Sequence, residues 1–277
     1  MARKVDIPGQ VLVITLLSSL TYGIIEAPSH GWSSSLIIGA FAVAAVSLAA
    51  FLVREHRATE PLVDLRFFRS APFASAAVVA VAAFAALGGF LFLNTLYLQE
   101  IRGFSALKAG LCTLPLAVPI LICAPLSGRL VAKNQARVAL RIGGCGIGVG
   151  ALVLTPLRAD TSLGLLFVAY AAFGIGFGMV NPPITNAAVA GMPPAQAGVA
   201  AAIASTSRQV GTTLGVAIVG AAASSAVSGA VSKGFVQNSH TGWWIIVFCG
   251  AAVAALGIFS TTARATSTAK QVSARFT

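Results

Sequence analysis

Residues 73–98 read FASAAVVAVAAFAALGGFLFLNTLYL, without a single charged side chain. Crossing a hydrocarbon core of about 30 Å takes about 20 apolar residues at a rise of about 1.5 Å each, so this stretch predicts a membrane-spanning helix. Seven further runs of that kind, bounded by charges or prolines, lie on either side of it. Upstream they cover Gln10 to Ala27 and Ser34 to Val53. Downstream they cover Ala109 to Leu130, Val138 to Leu157, Leu163 to Ala190, Ala197 to Val227 and Trp243 to Thr262. The expected fold class is an all-α polytopic membrane protein of about eight transmembrane helices.

Composition points the same way. Of 277 residues, 57% are apolar and 9% charged, whereas soluble domains carry about 25% charged residues. With a mean hydropathy of +0.89, the apolar surface requires lipid as its solvent. The net charge of +11 does not mark a nucleic-acid surface, because the basic residues form short clusters between apolar runs rather than one stripe. Cys112, Cys123, Cys145 and Cys249 lie inside apolar runs with no CxxC and no nearby histidine, and read as packing residues. Cys112 and Cys123 fall on one predicted helix, roughly 16 Å apart along its axis, too far for a disulfide.

Arg3 and Lys4 before the first run resemble the start of a signal peptide, but Ile25-Glu26-Ala27 is a poor cleavage site and a second span follows at once. An uncleaved first span is the simpler reading. Eight spans put both termini on one side. With the termini inside, basic residues divide fourteen to four, since only Arg102, Lys108, Arg158 and Lys233 fall outside. The positive-inside preference therefore places both ends in the cytoplasm. Arg208 interrupts the seventh span at a cost of roughly 2.5 to 3.5 kcal/mol, so either that helix starts late or the side chain is sheltered. The inner stretch Arg54 to Ser70 mixes charges with Leu62, Val63, Leu65, Phe67 and Phe68, a composition for a short helix on the membrane surface. The tail after Thr262 reads as disordered.

Glycines concentrate at Gly143, Gly144, Gly146, Gly148 and Gly150, and at Gly174, Gly176 and Gly178. Inside lipid-length runs they form small-xxx-small pairs for close helix packing rather than a phosphate loop. Pro115, Pro119, Pro125 and the pair Pro182-Pro183 each remove a backbone donor and predict kinks, static or mobile. Polar residues within spans are costly, and the notable ones are Asn94, Tyr97 and Gln99, then Asn181, Thr185 and Asn186. Tyr170, Phe173 and Phe177 follow i, i+3, i+7 and end near Asn181. Such a face suits flat, lipophilic, weakly cationic molecules, or else interhelical hydrogen bonds and aromatic packing. Among acids only Glu26 lies within a span, and no HExxH, GxSxG or paired intramembrane carboxylates occur, so enzyme chemistry has no support.

Several stretches resemble the drug:proton antiporter branch, with fourteen transmembrane segments, of the major facilitator superfamily. They are Tyr22-Gly23-Ile24-Ile25-Glu26 with Gly31-Trp32, and the linker Glu60-Pro61-Leu62-Val63-Asp64-Leu65-Arg66-Phe67-Phe68-Arg69. Further along come Leu96-Tyr97-Leu98-Gln99 with Gly103-Phe104-Ser105-Ala106, Asn181-Pro182-Pro183, Ala197-Gly198-Val199-Ala200 and Arg208-Gln209-Val210-Gly211. The resemblance implies two extra helices and an inner linker over residues 1–70, the second six-helix half over 71–262, and a cytoplasmic tail over 263–277. It also implies that the third and sixth spans line a central cavity, with Asn94, Tyr97, Tyr170, Phe173, Phe177 and Asn181 as substrate-cavity candidates. Pro115, Pro119, Pro182, Pro183, Arg208 and Gln209 become structural or gating candidates. No catalytic, metal-binding or proton-carrying residue carries over.

The expectation is thus the C-terminal portion of a bacterial plasma-membrane exporter, which needs no cofactor and whose complete form uses the proton gradient. Its partners are the lipid bilayer, lipophilic small molecules and a separately encoded N-terminal half. The alternative is a transporter-derived membrane scaffold, or a nonfunctional fragment, without transport activity.

Overall fold

The computed structural model describes residues 6–57, 65–189, 194–224 and 231–260, together with 262, 265, 267 and 268. Among these there are nine α-helices and no strand. They are α1 (Ile7–His30), α2 (Ser35–Arg57), α3 (Ala71–Leu96), α4 (Ala106–Cys112), α5 (Leu114–Ala132), α6 (Ala136–Leu154), α7 (Leu163–Val189), α8 (Pro194–Ser224) and α9 (Val231–Ser260). A 3-10 turn, Leu65–Arg69, leads into α3, and a π-helical turn, Tyr97–Ile101, extends it.

Helix α1 starts where Asp6 accepts the Gly9 N–H at 3.0 Å, with Pro8 in the first turn. The same carboxylate takes the Arg54 Nη2 at 2.7 Å from the last turn of α2, so the two helices form an antiparallel hairpin with those ends together. The hydrogen bond from Arg54, and then that from Gly9, hold the Asp6 carboxyl below its ordinary 3.8. The hairpin meets the bundle through α1 against α8. In the bundle α3 touches α7, α8 and α9, α6 lies between α7 and α9, and α5 covers α7.

Small residues set these distances. A Cβ on Gly146 would lie 2.7 Å from the Gly176 Cα, and one on Gly88 would lie 2.6 Å from the Thr212 carbonyl oxygen, so α6 meets α7, and α3 meets α8, backbone to backbone. Gly144 likewise packs on Gly250 of α9. The packing role expected for the glycine clusters is what the bundle uses. The outer faces are apolar and uncovered: Val46, Leu121 and Phe248 are each about two-thirds or more exposed, as lipid-facing side chains are.

Several expectations need correction. Among the described residues seven helices, against about eight expected, are by length and composition apolar enough to cross a membrane: α1, α2, α3 with its π turn, α5, α6, α7 and residues 239–260 of α9. The missing one is α8, whose hydropathy is lowered by Arg208, Gln209 and its serines and threonines, although it runs along α3 inside the same bundle. The fourth span is two helices, because Pro115 cannot donate to the preceding turn and the chain breaks at Thr113, whose N–H bonds the Gly110 carbonyl at 3.1 Å. Cys112 and Cys123 therefore sit on successive helices.

Arg54 to Arg57 belong to α2, not to a surface helix, and this places Glu55, read as a loop residue, in a 4% exposed position. Phe67, expected to face the membrane surface, is fully buried against Phe73, while Phe68 is exposed. Leu62 and Val63 lie outside the described residues, as do Arg3, Lys4 and almost all of the tail. Cys145, expected to pack inside, is exposed, because its neighbours Gly144 and Gly146 take the two inward directions of α6.

Candidate functional site

The sequence-predicted aromatic stripe of α7 faces α3. Phe90 of α3 sits among Tyr170 at 5.3 Å, Phe173 at 4.5 Å and Trp243 of α9 at 5.6 Å between ring centroids. All four rings are essentially without exposure. Tyr170 and Trp243 meet Phe90 edge-to-face, the preferred arrangement for aromatic pairs at these distances, and Phe173 is tilted against it. Tyr170 donates its hydroxyl hydrogen to the Asn94 Oδ1, so the Asn94 amide of α3 finds its partner on α7. Tyr97 donates to the Arg158 carbonyl at 2.8 Å, and Arg102 donates to the Thr161 carbonyl at 2.7 Å and to the Tyr97 oxygen at 3.3 Å. These bonds tie the end of α3 to the α6–α7 connection. Asn94, Tyr97, Tyr170 and Phe173 thus form a sealed, hydrogen-bonded aromatic core in this conformation.

The prolines divide into two groups. Pro115 opens α5, whereas Pro119 lies inside it and Pro182 and Pro183 lie inside α7. Pro183 deprives the Met179 carbonyl of its helical donor, and Ser127 of α5, fully buried, donates its hydroxyl to that carbonyl at 2.7 Å. This serine carries no sequence signal of its own, since only the packing of α5 on α7 brings it there. Ser127→Ala is expected to leave the Met179 carbonyl orphaned and to cost about 1 kcal/mol, read as a lowered midpoint in detergent or denaturant unfolding.

Lower on the same helices the face formed by α3, α7 and α8 is open. Arg208 stands midway along α8, so the helix itself starts well before it, and its side chain is half-buried. Its Nη2 donates to the Thr185 Oγ1 at 2.6 Å, and its guanidinium carbon lies 5.8 Å from the Phe84 ring centroid. Phe84 meets Phe177 edge-on at 5.0 Å. One turn from Thr185, Asn181 is half-buried, with its Oδ1 buried and lacking a hydrogen-bond partner, and the Arg208 Nε is in the same condition. Phe177, Asn181 and Arg208 are therefore brought together, joined by Phe84 and Thr185.

Gln209 points the other way. It lines a cleft of about 340 Å³ with Leu17 and Thr21 of α1, next to an apolar cleft of about 580 Å³ walled by Val13, Leu17, Phe51, Leu52, Ile203 and Val210. Adjacent residues of one helix thus serve opposite faces.

A bundle of lipid-length helices sealed by an aromatic core, with one polar and aromatic face beside it, defines a multi-pass membrane protein. The sequence profile of the Major Facilitator Superfamily matches residues 9–216, and the chain belongs to that family of transporters, which are not enzymes. It is 36% identical over 219 residues to the multidrug resistance protein Stp of Mycobacterium tuberculosis, a match covering 79% of this chain and 41% of the relative. The tetracenomycin C resistance and export protein of Streptomyces glaucescens is 34% identical over 79% of this chain and 40% of its own length. The quinolone resistance protein NorB of Staphylococcus aureus is 31% identical over 92% of this chain and 54% of its own length. The chain spans about half the length, or less, of the curated relatives it matches.

Proposed function

We propose that this chain is the C-terminal portion of a proton-coupled exporter of lipophilic, drug-like compounds in the bacterial plasma membrane. In this reading α1 and α2, within residues 1–70, are the two extra helices of a fourteen-segment arrangement. Helices α3 to α9, within 71–262, with α4 and α5 taken as one broken span, are its second six-helix half, followed by a cytoplasmic tail. The observation that carries it is the polar and aromatic face of α3, α7 and α8, where Phe84, Phe177, Asn181, Thr185 and Arg208 come together and Thr185 is exposed. A six-helix half supplying the opposite wall completes a cavity, and rocking of one half on the other gives alternating access. The resistance and export names of the relatives, and the part of their length that is matched, support the same reading. With α8 taken as an eighth crossing helix despite its lower hydropathy, both termini fall on one side, and the excess of basic residues there supports the cytoplasm.

The test is dye transport in liposomes under an imposed pH gradient. The purified chain alone is expected to give no gradient-dependent accumulation of a lipophilic fluorescent dye, and the chain reconstituted with the N-terminal six-helix half of a full-length relative is expected to give it. Transport by the chain alone would refute the half-transporter reading. A silent reconstituted pair would refute export and favour a scaffold.

A further inference from the structure

Resting on the exporter reading for the direction in which the site opens, we propose that the Arg208 face binds the anionic group of an aromatic amphiphile, a planar carboxylate on a flat ring system. A guanidinium set inside an apolar bundle is expensive, and buried charges normally carry a counter-charge. Arg208 has none among the described residues, where the two ion pairs join Glu26 to His30 and Asp6 to Arg54. What it has is one hydroxyl, Thr185, and one ring, Phe84, with its Nε buried and unpartnered.

A guanidinium offers five N–H donors in a rigid fork matched to carboxylate geometry. A carboxylate on the outer Nη edge of the fork takes up donors that the protein leaves open, the Nε being covered by protein. The Asn181 side chain, about one helical turn from Thr185, offers its amide N–H as a second donor, its oxygen being covered by protein and unable to pair with a carboxylate. Phe84, half-exposed and braced edge-on by Phe177, offers its ring to the aromatic body of the ligand. The fixed positive charge also reverses the weakly cationic preference that the aromatic stripe by itself suggests, since the stripe is sealed inside the core and the open end of the face carries Arg208.

The experiment uses the purified full chain in nanodiscs of zwitterionic lipid, with empty discs subtracted. Anthracene-9-carboxylate, 9-anthracenemethanol and 9-aminomethylanthracene are titrated by fluorescence, three ligands that share one ring system and differ in charge. The carboxylate is expected to bind about tenfold or more tighter than the alcohol and the ammonium weakest. Arg208→Gln is expected to abolish the preference and Arg208→Lys to keep part of it. Phe84→Leu is expected to weaken the carboxylate several-fold without changing competition by octanoate.

The ligand comparison on the unaltered chain stands even if Arg208→Gln fails to fold. Equal binding of carboxylate and alcohol, or tighter binding of the ammonium, overturns the proposal. So does an octanoate affinity matching that of the aromatic carboxylate, which marks Arg208 as a bare counter-charge for an acidic side chain on another helix. Carboxylate selectivity with no transport by the reconstituted pair sinks the exporter reading and leaves this site standing, and transport without carboxylate selectivity does the reverse.

Discussion

Gly176→Leu is expected to abolish the folded bundle. At this position of α7 a Cβ would lie 2.6 Å from the Gly143 carbonyl oxygen and 2.7 Å from the Gly146 carbonyl carbon, so the backbone of α6 itself stands in the way. No rotamer of a larger side chain relieves a clash with backbone, and separating the helices breaks the α6–α7 interface together with the α6–α9 contact stacked behind it. In lipid, where apolar surface gains nothing by leaving the solvent, that close packing is most of what holds two helices together. The cost is expected to exceed about 4 kcal/mol, the range reserved for disrupted cores. Size-exclusion chromatography of the detergent-extracted variant should show aggregate in place of a monodisperse peak. Gly164→Ala, on the same helix with nothing within 4 Å of the added carbon, should elute as the unaltered protein does. A monodisperse Gly176→Leu protein with an unchanged melting temperature would show that the α6–α7 approach is not required.

Phe90→Ala is expected to lower the unfolding free energy by about 3 kcal/mol and to do so at the α3–α7–α9 junction. Truncating a buried phenylalanine in a soluble core costs about 3–5 kcal/mol, part of which is transfer of the ring to water. That part vanishes when the unfolded helix stays in lipid, but the cavity is left and three ring contacts, to Tyr170, Phe173 and Trp243, are lost at about 0.5–1.5 kcal/mol each. Unfolding in mixed micelles followed by tryptophan fluorescence reads both effects, since Trp243 loses its edge-on partner and its emission should change in the folded baseline. Phe248→Ala, at a side chain 68% exposed toward lipid, should shift the midpoint far less. Equal shifts for the two variants would mean that the aromatic cluster adds nothing beyond what lipid contacts provide.

The two substitutions probe features that were unequally visible in the amino-acid sequence. Gly176 belongs to a cluster whose spacing announces close helix packing, and the partner helix was a matter of geometry alone. Phe90 carries no signal in a run where nearly every residue is apolar, because lipid-facing and bundle-facing positions are then built from the same side chains and the period of 3.6 leaves no trace. Tyr170, Phe173 and Phe177 stand out as a stripe, yet two of them seal the core beside Asn94 while Phe177 braces the open face. Burial depends on what α3 places opposite each ring.

The chain's own order of residues determined that it lives in a membrane, how many times it approaches lipid length, where the helices pack closely and which family it belongs to, because these follow from run length, charge placement and local spacing. Helix pairing, the break at Thr113, the burial of Glu55, the rescue of the Met179 carbonyl by Ser127 and the meeting of Arg208 with Phe84 and Thr185 were decided by tertiary structure. In each of these the residues lie on different helices or at a helix end set by packing. Lipid, which solvates apolar side chains on every face alike, gives the sequence no reason to distinguish the neighbours each will meet.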